Sequence, residues 1–247
     1  MKTISFKIKR QLGKSSRPFW EEFEVPYRAG MNVITALLDI AKNPVTKEGK
    51  KTSPVAWDCN CLEEVCGACT MVINGKVRQS CSALVDNLEK PIRLEPMSKF
   101  PVVRDLKVDR QFMFDALKRV KAWIPIDGTY DLGPGPKMSD QDQQIGYKLS
   151  QCMTCGCCVE ACPQFNDRSE FVGAAALSQV RLFNLHPTGK MQKEERLATI
   201  MGEGGIEDCG NSQNCVKVCP KDIPLTTSIA DLNQDTTLFA IKKIFRG

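Results

Sequence analysis

Cysteine is the feature that most constrains this chain, because thirteen of its 247 residues are cysteines. An odd count in a long chain argues against a disulfide framework, which is typical of short secreted domains. The opening stretch MKTISFKIKRQ carries charges where a signal peptide would have an apolar segment. We therefore expect the chain to stay on the reducing side of a membrane and its cysteines to bind metal. They form three groups: Cys59, Cys61, Cys66, Cys69 and Cys81; Cys152, Cys155, Cys157, Cys158 and Cys162; and Cys209, Cys215 and Cys219.

Composition argues against several other classes of protein. Hydrophobic residues make up 42% and charged residues 26% of the chain, which predicts a folded core. The formal net charge is +5 and the basic residues are dispersed, so nucleic-acid binding has little support. No stretch approaches the roughly 18 consecutive apolar residues of a membrane-spanning helix, and we expect none in this chain.

A connector at residues 96–106 divides the sequence into two halves. It contains two prolines and no clear periodicity, so we place a domain boundary near residue 105. In the first half, TISFKIKR, FEVP and PIRLEP are predicted strands, Asn32 is the predicted N-cap of a helix, and a hairpin turns at Asn74-Gly75. This order predicts a small mixed sheet packed on one helix. The second half predicts helices at 109–123, 139–151, 169–183, 193–201 and after Pro224, and a loop at 127–137.

Four cysteines of the first group have the spacing C-x4-C-x2-C-x11-C, whose first three positions match the plant-type pattern for a [2Fe–2S] cluster. Thiolates suit iron bridged by sulfide because they are soft anionic donors. Gly67 lies between two of the cysteines and permits the close approach that a cluster loop demands. A structural zinc site is the alternative, but such a site usually has two C-x2-C pairs and this group has one. The predicted ligands are Cys61, Cys66, Cys69 and Cys81.

The second group contains C-x2-C-x2-C-x3-C-P, the bacterial ferredoxin signature. In two-cluster ferredoxins the fourth cysteine of such a run binds the other cluster. The third group repeats the run, but with Ser212 where the second cysteine would stand. Exchange of the fourth cysteines predicts a [4Fe–4S] cluster on Cys152, Cys155, Cys158 and Cys219.

The reciprocal set has three thiols, because Ser212 replaces a cysteine. A cube with three thiolates holds its last iron weakly, and loss of that iron leaves a [3Fe–4S] cluster. A serine alkoxide, a water or another ligand could hold a fourth iron instead, although a hydroxyl is a much poorer donor than a thiolate at neutral pH. We predict a [3Fe–4S] cluster on Cys162, Cys209 and Cys215.

Cys59 and Cys157 remain after these assignments. Each lies beside predicted ligands, and we interpret each as a thiol next to a cluster loop, with ligation left open by the sequence. His186 is the only histidine, and HPTG is more typical of a loop turn than of a proton relay. We predict no catalytic residue, because the chain offers no Ser/His/Asp or paired-carboxylate arrangement.

The three cysteine runs together resemble the iron–sulfur subunits of succinate dehydrogenase and fumarate reductase, the succinate:quinone oxidoreductases. CLEEVCGACTMVINGK, CMTCGCCVEACP and CGNSQNCVKVCPKDIPLTTSIA stand in that family's order and spacing, so the resemblance covers nearly the whole chain. It implies a two-domain α+β fold. Residues 1–104 would form a β-grasp, plant-type [2Fe–2S] ferredoxin domain. Residues 105–247 would form an all-α, bacterial-ferredoxin-like domain with the [4Fe–4S] and [3Fe–4S] clusters.

The resemblance also implies a function and partners. Single electrons would pass between covalent FAD on a flavoprotein subunit and a quinone, through [2Fe–2S], [4Fe–4S] and [3Fe–4S] in succinate oxidation and in reverse in fumarate reduction. Pro163 matches a position near the quinone, whereas Asp167 and Gly210 replace neighbours found in ubiquinone-using members. HPTGKM at 186–191 and the tail after Cys219 look most like the branch with menaquinone and a single membrane-anchor cytochrome b that holds two haem b groups. The subunit would then lie on the cytoplasmic face of the cell membrane.

Two other interpretations stay open. An electron-transfer subunit of another flavin oxidoreductase, of the heterodisulfide-reductase or glycolate-oxidase type, also uses C-x2-C-x2-C-x3-C-P runs. Such a subunit would ordinarily keep a cysteine at position 212 or lack the plant-type domain. A structural zinc protein acting as an assembly module is the second, and it would be colourless and free of iron.

Overall fold

A computed structural model describes residues 2–125, 137–166 and 168–246. The loop predicted at 127–137 lies outside these ranges except for its last residue, and so does Asp167. The chain divides into two compact units: Met1–Arg110 with Met153–Glu160, and Gln111–Cys152 with Ala161–Gly247. The second cysteine run is thus shared between the units.

The first unit contains a five-stranded sheet, formed by β1 Thr3–Arg10, β2 Phe19–Pro26, β3 Thr70–Ile73, β4 Lys76–Gln79 and β5 Ile92–Glu95. The strand order is β2-β1-β5-β3-β4. β1 runs parallel to β5, and the other neighbouring pairs are antiparallel. Ile4, Phe6 and Ile8 of β1 are buried and alternate with more exposed residues, as the two-residue period of a strand requires. The predicted strands and the Asn74-Gly75 hairpin are confirmed.

The first unit has one long helix, α1 Val33–Lys42, whose apolar side joins the core of the sheet. Its N-cap is Asn32, whose Oδ1 accepts the backbone N–H of Thr35 at 2.8 Å, as predicted. The Asn32 amide donates to the backbone carbonyl of Cys81 at 2.8 Å. The start of the helix is therefore tied to a predicted cluster ligand.

A buried ion pair in the first unit connects the last residue of β1, Arg10, with Asp105. The side chains of Arg10 and Asp105 have no exposed surface, and Arg10 Nε donates to Asp105 Oδ1 at 2.9 Å. Asp105 Oδ2 accepts the backbone N–H of Ala56 at 2.9 Å. Asp105 lies in the turn between two short strands, β6 Val102–Arg104 and β7 Lys107–Val108. The sequence did not predict this pair, because strands of two or three residues show no readable periodicity.

The remaining helices are α2 Gln111–Arg119, α3 Asp140–Ser150, α4 Cys157–Glu160, α5 Ala174–Leu185, α6 Lys193–Ile200, α7 Asn214–Lys217 and α8 Leu225–Arg246, with 3-10 turns at Val85–Asn87, Gly189–Gln192 and Ile206–Asp208. α4 and the 3-10 turn Val85–Asn87 lie in the first unit. The other elements named here lie in the second unit, and the predicted helices are confirmed there. α5 starts later than predicted because its N-cap, Gly173, has φ +87°, which lies outside the helical region. The one-turn helices α4 and α7 were too short to be predicted.

Arg196 joins several segments of the second unit from a buried position. Its Nε donates to the carbonyl of Lys121 at 2.9 Å, and its terminal nitrogens donate to those of Gly189 at 2.6 Å and Trp123 at 2.7 Å. Burial lowers the pKa of the guanidinium. The three carbonyls compensate for this burial, because each replaces a water molecule as acceptor.

The longest helix of the described residues, α8, leaves four large apolar side chains exposed: Leu238, Ile241, Ile244 and Phe245. Leu238, Ile241 and Phe245 are spaced three and four residues apart and share one side of the helix. Within the described ranges, no helix has both the length and the apolar character needed to cross a bilayer.

Candidate iron–sulfur sites

The loop from Cys61 to Cys69 directs backbone N–H groups at a thiol. The N–H groups of Glu63 and Val65 each donate to Cys61 Sγ at 3.4 Å. These bonds, that of Glu63 first, lower the pKa of Cys61 to about 7. Such a loop stabilises a thiolate, which is the form that binds iron.

The four predicted [2Fe–2S] ligands all lie in the first unit and approach one another in two pairs. A side-chain hydrogen bond links Cys61 to Cys66, and another links Cys69 to Cys81. Burial raises the pKa of Cys69 to about 12, so the second pair lies on the protected side of the loop. Two pairs of thiols fit a cluster of two irons, each of which takes two protein ligands.

Gly67 allows this loop to contact the second cysteine run within the first unit. A Cβ added at Gly67 would lie 2.7 Å from Cβ and 2.8 Å from Cα of Cys155, and the glycine has φ +70°. No L side chain fits there without displacing the backbone. The Arg110 guanidinium donates to the carbonyl of Gly67 at 2.6 Å and to that of Ala68. These two hydrogen bonds hold the part of the loop that contacts Cys155.

A hydrogen bond from Cys157 lowers the pKa of Cys155 to about 7, with a further contribution from the Arg110 charge. The same hydrogen bond, with burial, raises the pKa of Cys157. Cys157 Sγ also accepts from Gln79 Nε2 at 3.7 Å. Cys157 is therefore a buried thiol that hydrogen-bonds to a predicted [4Fe–4S] ligand.

The second and third cysteine runs share one backbone conformation. Thr154 and Asn211 have φ 50° and 49°, and Gly156 and Gln213 have φ 89° and 60°. A one-turn helix follows in each run, α4 in the second and α7 in the third. Ser212 thus occupies the backbone position of Cys155, and its side chain is exposed.

The three predicted [3Fe–4S] ligands all belong to the second unit. Burial raises the pKa of Cys215, and the charges of Cys162 and Cys209 raise it further. The Asn214 side chain donates to the carbonyl of Ala161 at 3.1 Å, which joins the two cysteine loops. The three thiols are thus near enough to interact electrostatically, and position 212 adds no fourth thiol.

The predicted [4Fe–4S] ligands are divided between the units: Cys155 and Cys158 belong to the first, and Cys152 and Cys219 to the second. Cys219 Sγ accepts the backbone N–H of Ile223 at 3.5 Å. This ligand set remains a prediction from the spacing.

Across the described residues, no three His, Cys, Asp or Glu side chains are close enough to hold a single metal ion.

Comparison with known proteins identifies the family. Residues 5–115 match a 2Fe-2S iron-sulfur cluster binding domain, and residues 148–223 match a 4Fe-4S dicluster domain. The succinate dehydrogenase iron-sulfur subunit of Bacillus subtilis is 66% identical over 244 residues, which cover 99% of this chain and 96% of that protein. The chain belongs to the family of succinate dehydrogenase and fumarate reductase iron–sulfur subunits. The fumarate reductase iron-sulfur subunit of Wolinella succinogenes is 29% identical over 222 residues, covering 89% of this chain and 90% of that one.

A solved structure agrees with the fold. A chain of the Mycobacterium smegmatis Sdh1 complex in the apo form has a TM-score of 0.74 at 21% identity, covering 95% of each chain. The two-domain α+β layout is therefore shared. As a member of the succinate dehydrogenase and fumarate reductase family, the chain is an electron-transfer subunit with [2Fe–2S], [4Fe–4S] and [3Fe–4S] clusters.

Three other residues discussed in the sequence analysis, Cys59, Pro163 and His186, can also be located in the structure. Cys59 is exposed, and Pro163 follows Cys162 at an exposed position. His186 ends α5, and its Nδ1 accepts the backbone N–H groups of Thr188 and Gly189 at 3.2 Å each, so HPTG is a turn as predicted.

The sequence did not single out Gln79 or Arg110, which contact the cysteine loops. Gln79 is a polar residue at a buried position of β4, and that placement was the available signal. Arg110 carried no comparable signal, because its contacts depend on tertiary packing.

Proposed function

We propose that this chain relays single electrons between the FAD of a flavoprotein subunit and a quinone, in a membrane-bound succinate:quinone oxidoreductase. The observation that carries the proposal is that the predicted two-iron ligands interact in pairs in the first unit and the predicted three-iron ligands interact in the second, in a member of this family. Succinate oxidation sends electrons from [2Fe–2S] through [4Fe–4S] to [3Fe–4S], and fumarate reduction reverses the order. The dicarboxylate site is assigned to the flavoprotein.

The ligand assignment follows the sequence. The first domain, 1–104, is assigned a β-grasp, plant-type ferredoxin fold, and the second, 105–247, an all-α, bacterial-ferredoxin-like fold. The mixed sheet on α1 and the helices α5 to α8 support these names. The proposed ligands are Cys61, Cys66, Cys69 and Cys81 for [2Fe–2S]; Cys152, Cys155, Cys158 and Cys219 for [4Fe–4S]; and Cys162, Cys209 and Cys215 for [3Fe–4S].

When bound, the clusters supply one-electron carriers, and the protein holds and tunes them. Backbone N–H groups of Glu63 and Val65 offset the negative charge on Cys61. Burial of Cys69 and Cys215 keeps water from those thiolates. The exposed Ser212 leaves the third site without a fourth thiolate, which changes the charge and potential of its cluster.

The [2Fe–2S] loop is the proposed docking site for the flavoprotein. Leu62 and Val65 are 52% and 54% exposed, and both lie within four residues of Cys61. Large apolar side chains at the rim of a cofactor loop support a protein contact there. Such a contact would shorten the electron path from flavin to cluster.

A cleft in the second unit supports the quinone assignment. Its volume is about 260 Å³, and Phe112, Phe165 and Phe171 are among its lining residues. The backbone N–H of Phe165 donates to the carbonyl of Cys162 at 3.3 Å, so the cleft begins next to a proposed [3Fe–4S] ligand and Pro163. Polar and charged side chains also line the cleft, so it combines aromatic walls with polar groups, as a quinone ring with two carbonyl oxygens requires. We assign menaquinone as the quinone.

The membrane partner is proposed on the same basis. We assign an anchor cytochrome b with two haem b groups, which would complete the quinone site on the cytoplasmic face of the cell membrane. The sequence around 186–191 and after Cys219 supports this branch of the family.

Electron paramagnetic resonance (EPR) of membranes containing the assembled complex tests the proposal. Air-oxidised samples should show a nearly isotropic [3Fe–4S] signal, which disappears on reduction with succinate or a low-potential donor as a [2Fe–2S] signal grows. An oxidised sample without signal, followed by two interacting [4Fe–4S] signals on reduction, would refute the three-iron site.

A further inference from the structure

Gln79 is a fully buried amide between two cysteine runs of the first unit. It ends β4, two residues before Cys81. Its Oε1 lies 3.5 Å from Cys69 Sγ, and its Nε2 lies 2.7 Å from Thr70 Oγ1 and 3.7 Å from Cys157 Sγ. Burying an amide is costly unless its oxygen and nitrogen have hydrogen-bond partners. The partners of the Gln79 amide are two cysteine sulfurs and the hydroxyl of the residue that follows Cys69.

The hydrogen bonds as they stand require a proton on Cys69. Cys69 Sγ donates to Gln79 Oε1, while Gln79 Nε2 donates to Thr70 Oγ1, which in turn donates to the carbonyl of Gly67 at 2.8 Å. A cysteine that binds iron has no proton to donate. With iron on Cys69, the Gln79 oxygen would face a negatively charged sulfur.

A half-turn of the amide removes this conflict, because it exchanges the positions of its oxygen and nitrogen. Gln79 Nε2 then donates to Cys69 Sγ, and the Thr70 hydroxyl donates to Gln79 Oε1. The carbonyl of Gly67 keeps a donor, since Arg110 reaches it at 2.6 Å. The Cys157 thiol keeps its hydrogen bond to Cys155 and loses only the long contact of 3.7 Å from Gln79 Nε2.

We propose that Gln79 is a positioning residue that donates its amide N–H to the Cys69 sulfur and thereby raises the reduction potential of the [2Fe–2S] cluster. Hydrogen bonds to cluster sulfurs favour the reduced, more negative state. The inference rests on the proposed function for the assignment of Cys69 as a ligand. It goes beyond that function by naming a side chain that tunes the first cluster and also contacts Cys157 in the second run.

The test is an EPR-monitored redox titration of the [2Fe–2S] cluster in the assembled complex. Gln79→Leu keeps a similar volume and removes the amide. We expect the midpoint to fall, with a roughly threefold to tenfold lower ratio of reduced to oxidised cluster at a fixed potential, where tenfold equals about 59 mV for one electron. Gln79→Glu replaces the donor by an acceptor and should lower the midpoint further.

The matched control is Gln11→Leu, since the Gln11 amide donates to the carbonyls of Gly13 and Lys14 and not to a cysteine. This variant should keep the wild-type midpoint. Thr70→Val removes the hydroxyl that orients the amide and should shift the midpoint in the same direction as Gln79→Leu, but less.

An unchanged midpoint in Gln79→Leu, with normal [2Fe–2S] signal intensity, would overturn the role of Gln79 and leave the proposed function intact. If Gln79→Leu fails to assemble the cluster, Thr70→Val decides: an unchanged midpoint there refutes the inference. Loss of the [2Fe–2S] signal from the wild-type complex would instead refute the proposed function itself.

Discussion

Ser212 differs from Cys155 in its side chain and not in its backbone. The residues on either side, Asn211 and Gln213, have the same left-handed conformation as Thr154 and Gly156. A cysteine at position 212 would therefore meet the backbone geometry that already presents a thiol in the second run. In the proposed ligand assignment, the choice between three and four irons depends on one atom, the serine oxygen that stands in place of a cysteine sulfur.

Ser212→Cys should convert the third cluster to [4Fe–4S]. The isotropic [3Fe–4S] signal of the air-oxidised complex should be lost, and iron analysis should show one more iron per complex. Ser212→Ala is the control and should leave the signal unchanged. If Ser212→Ala also changed the [3Fe–4S] signal or the iron content, the serine oxygen itself would affect iron binding.

Gly67 gives a second prediction at a single residue. Gly67→Ala adds a Cβ 2.7 Å from Cβ of Cys155 and should lower the [2Fe–2S] content of the purified complex severalfold, as measured by EPR spin quantitation. Gly75→Ala is a matched control, because Gly75 has φ +77° but an added Cβ meets nothing within 4 Å. Both variants carry the left-handed strain of roughly 1–2 kcal/mol. Equal cluster loss in both would show that strain alone, without the contact to Cys155, is responsible.

Between elements, the Arg10–Asp105 ion pair joins the end of β1 to the β6–β7 turn. Asp105→Asn keeps the shape and tolerates the positive φ of this position. It removes the charge of one of the two carboxylates that pair with the buried Arg10 and leaves Glu21 as the other. We expect a loss of about 2 kcal/mol in unfolding free energy, because a buried charge-assisted hydrogen bond is weakened while Glu21 still pairs with Arg10. The loss is measured as a lower urea midpoint for loss of [2Fe–2S] absorbance.

The Lys107–Asp58 pair provides the comparison for that prediction, at 2.9 Å on the surface. Asp58→Asn should change the unfolding free energy by less than about 1 kcal/mol, because water screens exposed pairs. A similar loss in both variants would mean that burial of Asp105 is not what makes its charge important.

The sequence predicted elements with a local signal and missed those without one. Asn32 and the Asn74-Gly75 turn specify a cap and a hairpin through their own side chains and backbone preferences. The two-residue strand β7 and the one-turn helices α4 and α7 span too few residues for periodicity. Candidate ligands were readable because cysteine spacing is local, whereas the position of Gln79 depends on packing between distant segments.

For the whole molecule, the exposed apolar end of α8 should make the chain self-associate when its partner subunits are absent. Ile244 and Phe245 are 76% and 86% exposed, and exposed apolar groups favour association. The double change Ile244→Glu and Phe245→Glu should reduce self-association of the isolated chain, measured by light scattering. Lys243→Glu is the control, since it changes charge in the same segment without removing apolar surface. An equal reduction in the control would assign the effect to charge.

The two cysteine runs with one backbone conformation amount to two copies of a single module. Serine and cysteine codons can differ by one nucleotide, so one point mutation at position 212 can exchange the two residues. The scaffold around that position needs no compensating change, because α7 and its flanking residues already have the geometry of α4. In the proposed ligand assignment, a single point mutation at position 212 could therefore change the type of cluster in the third site without a change of fold.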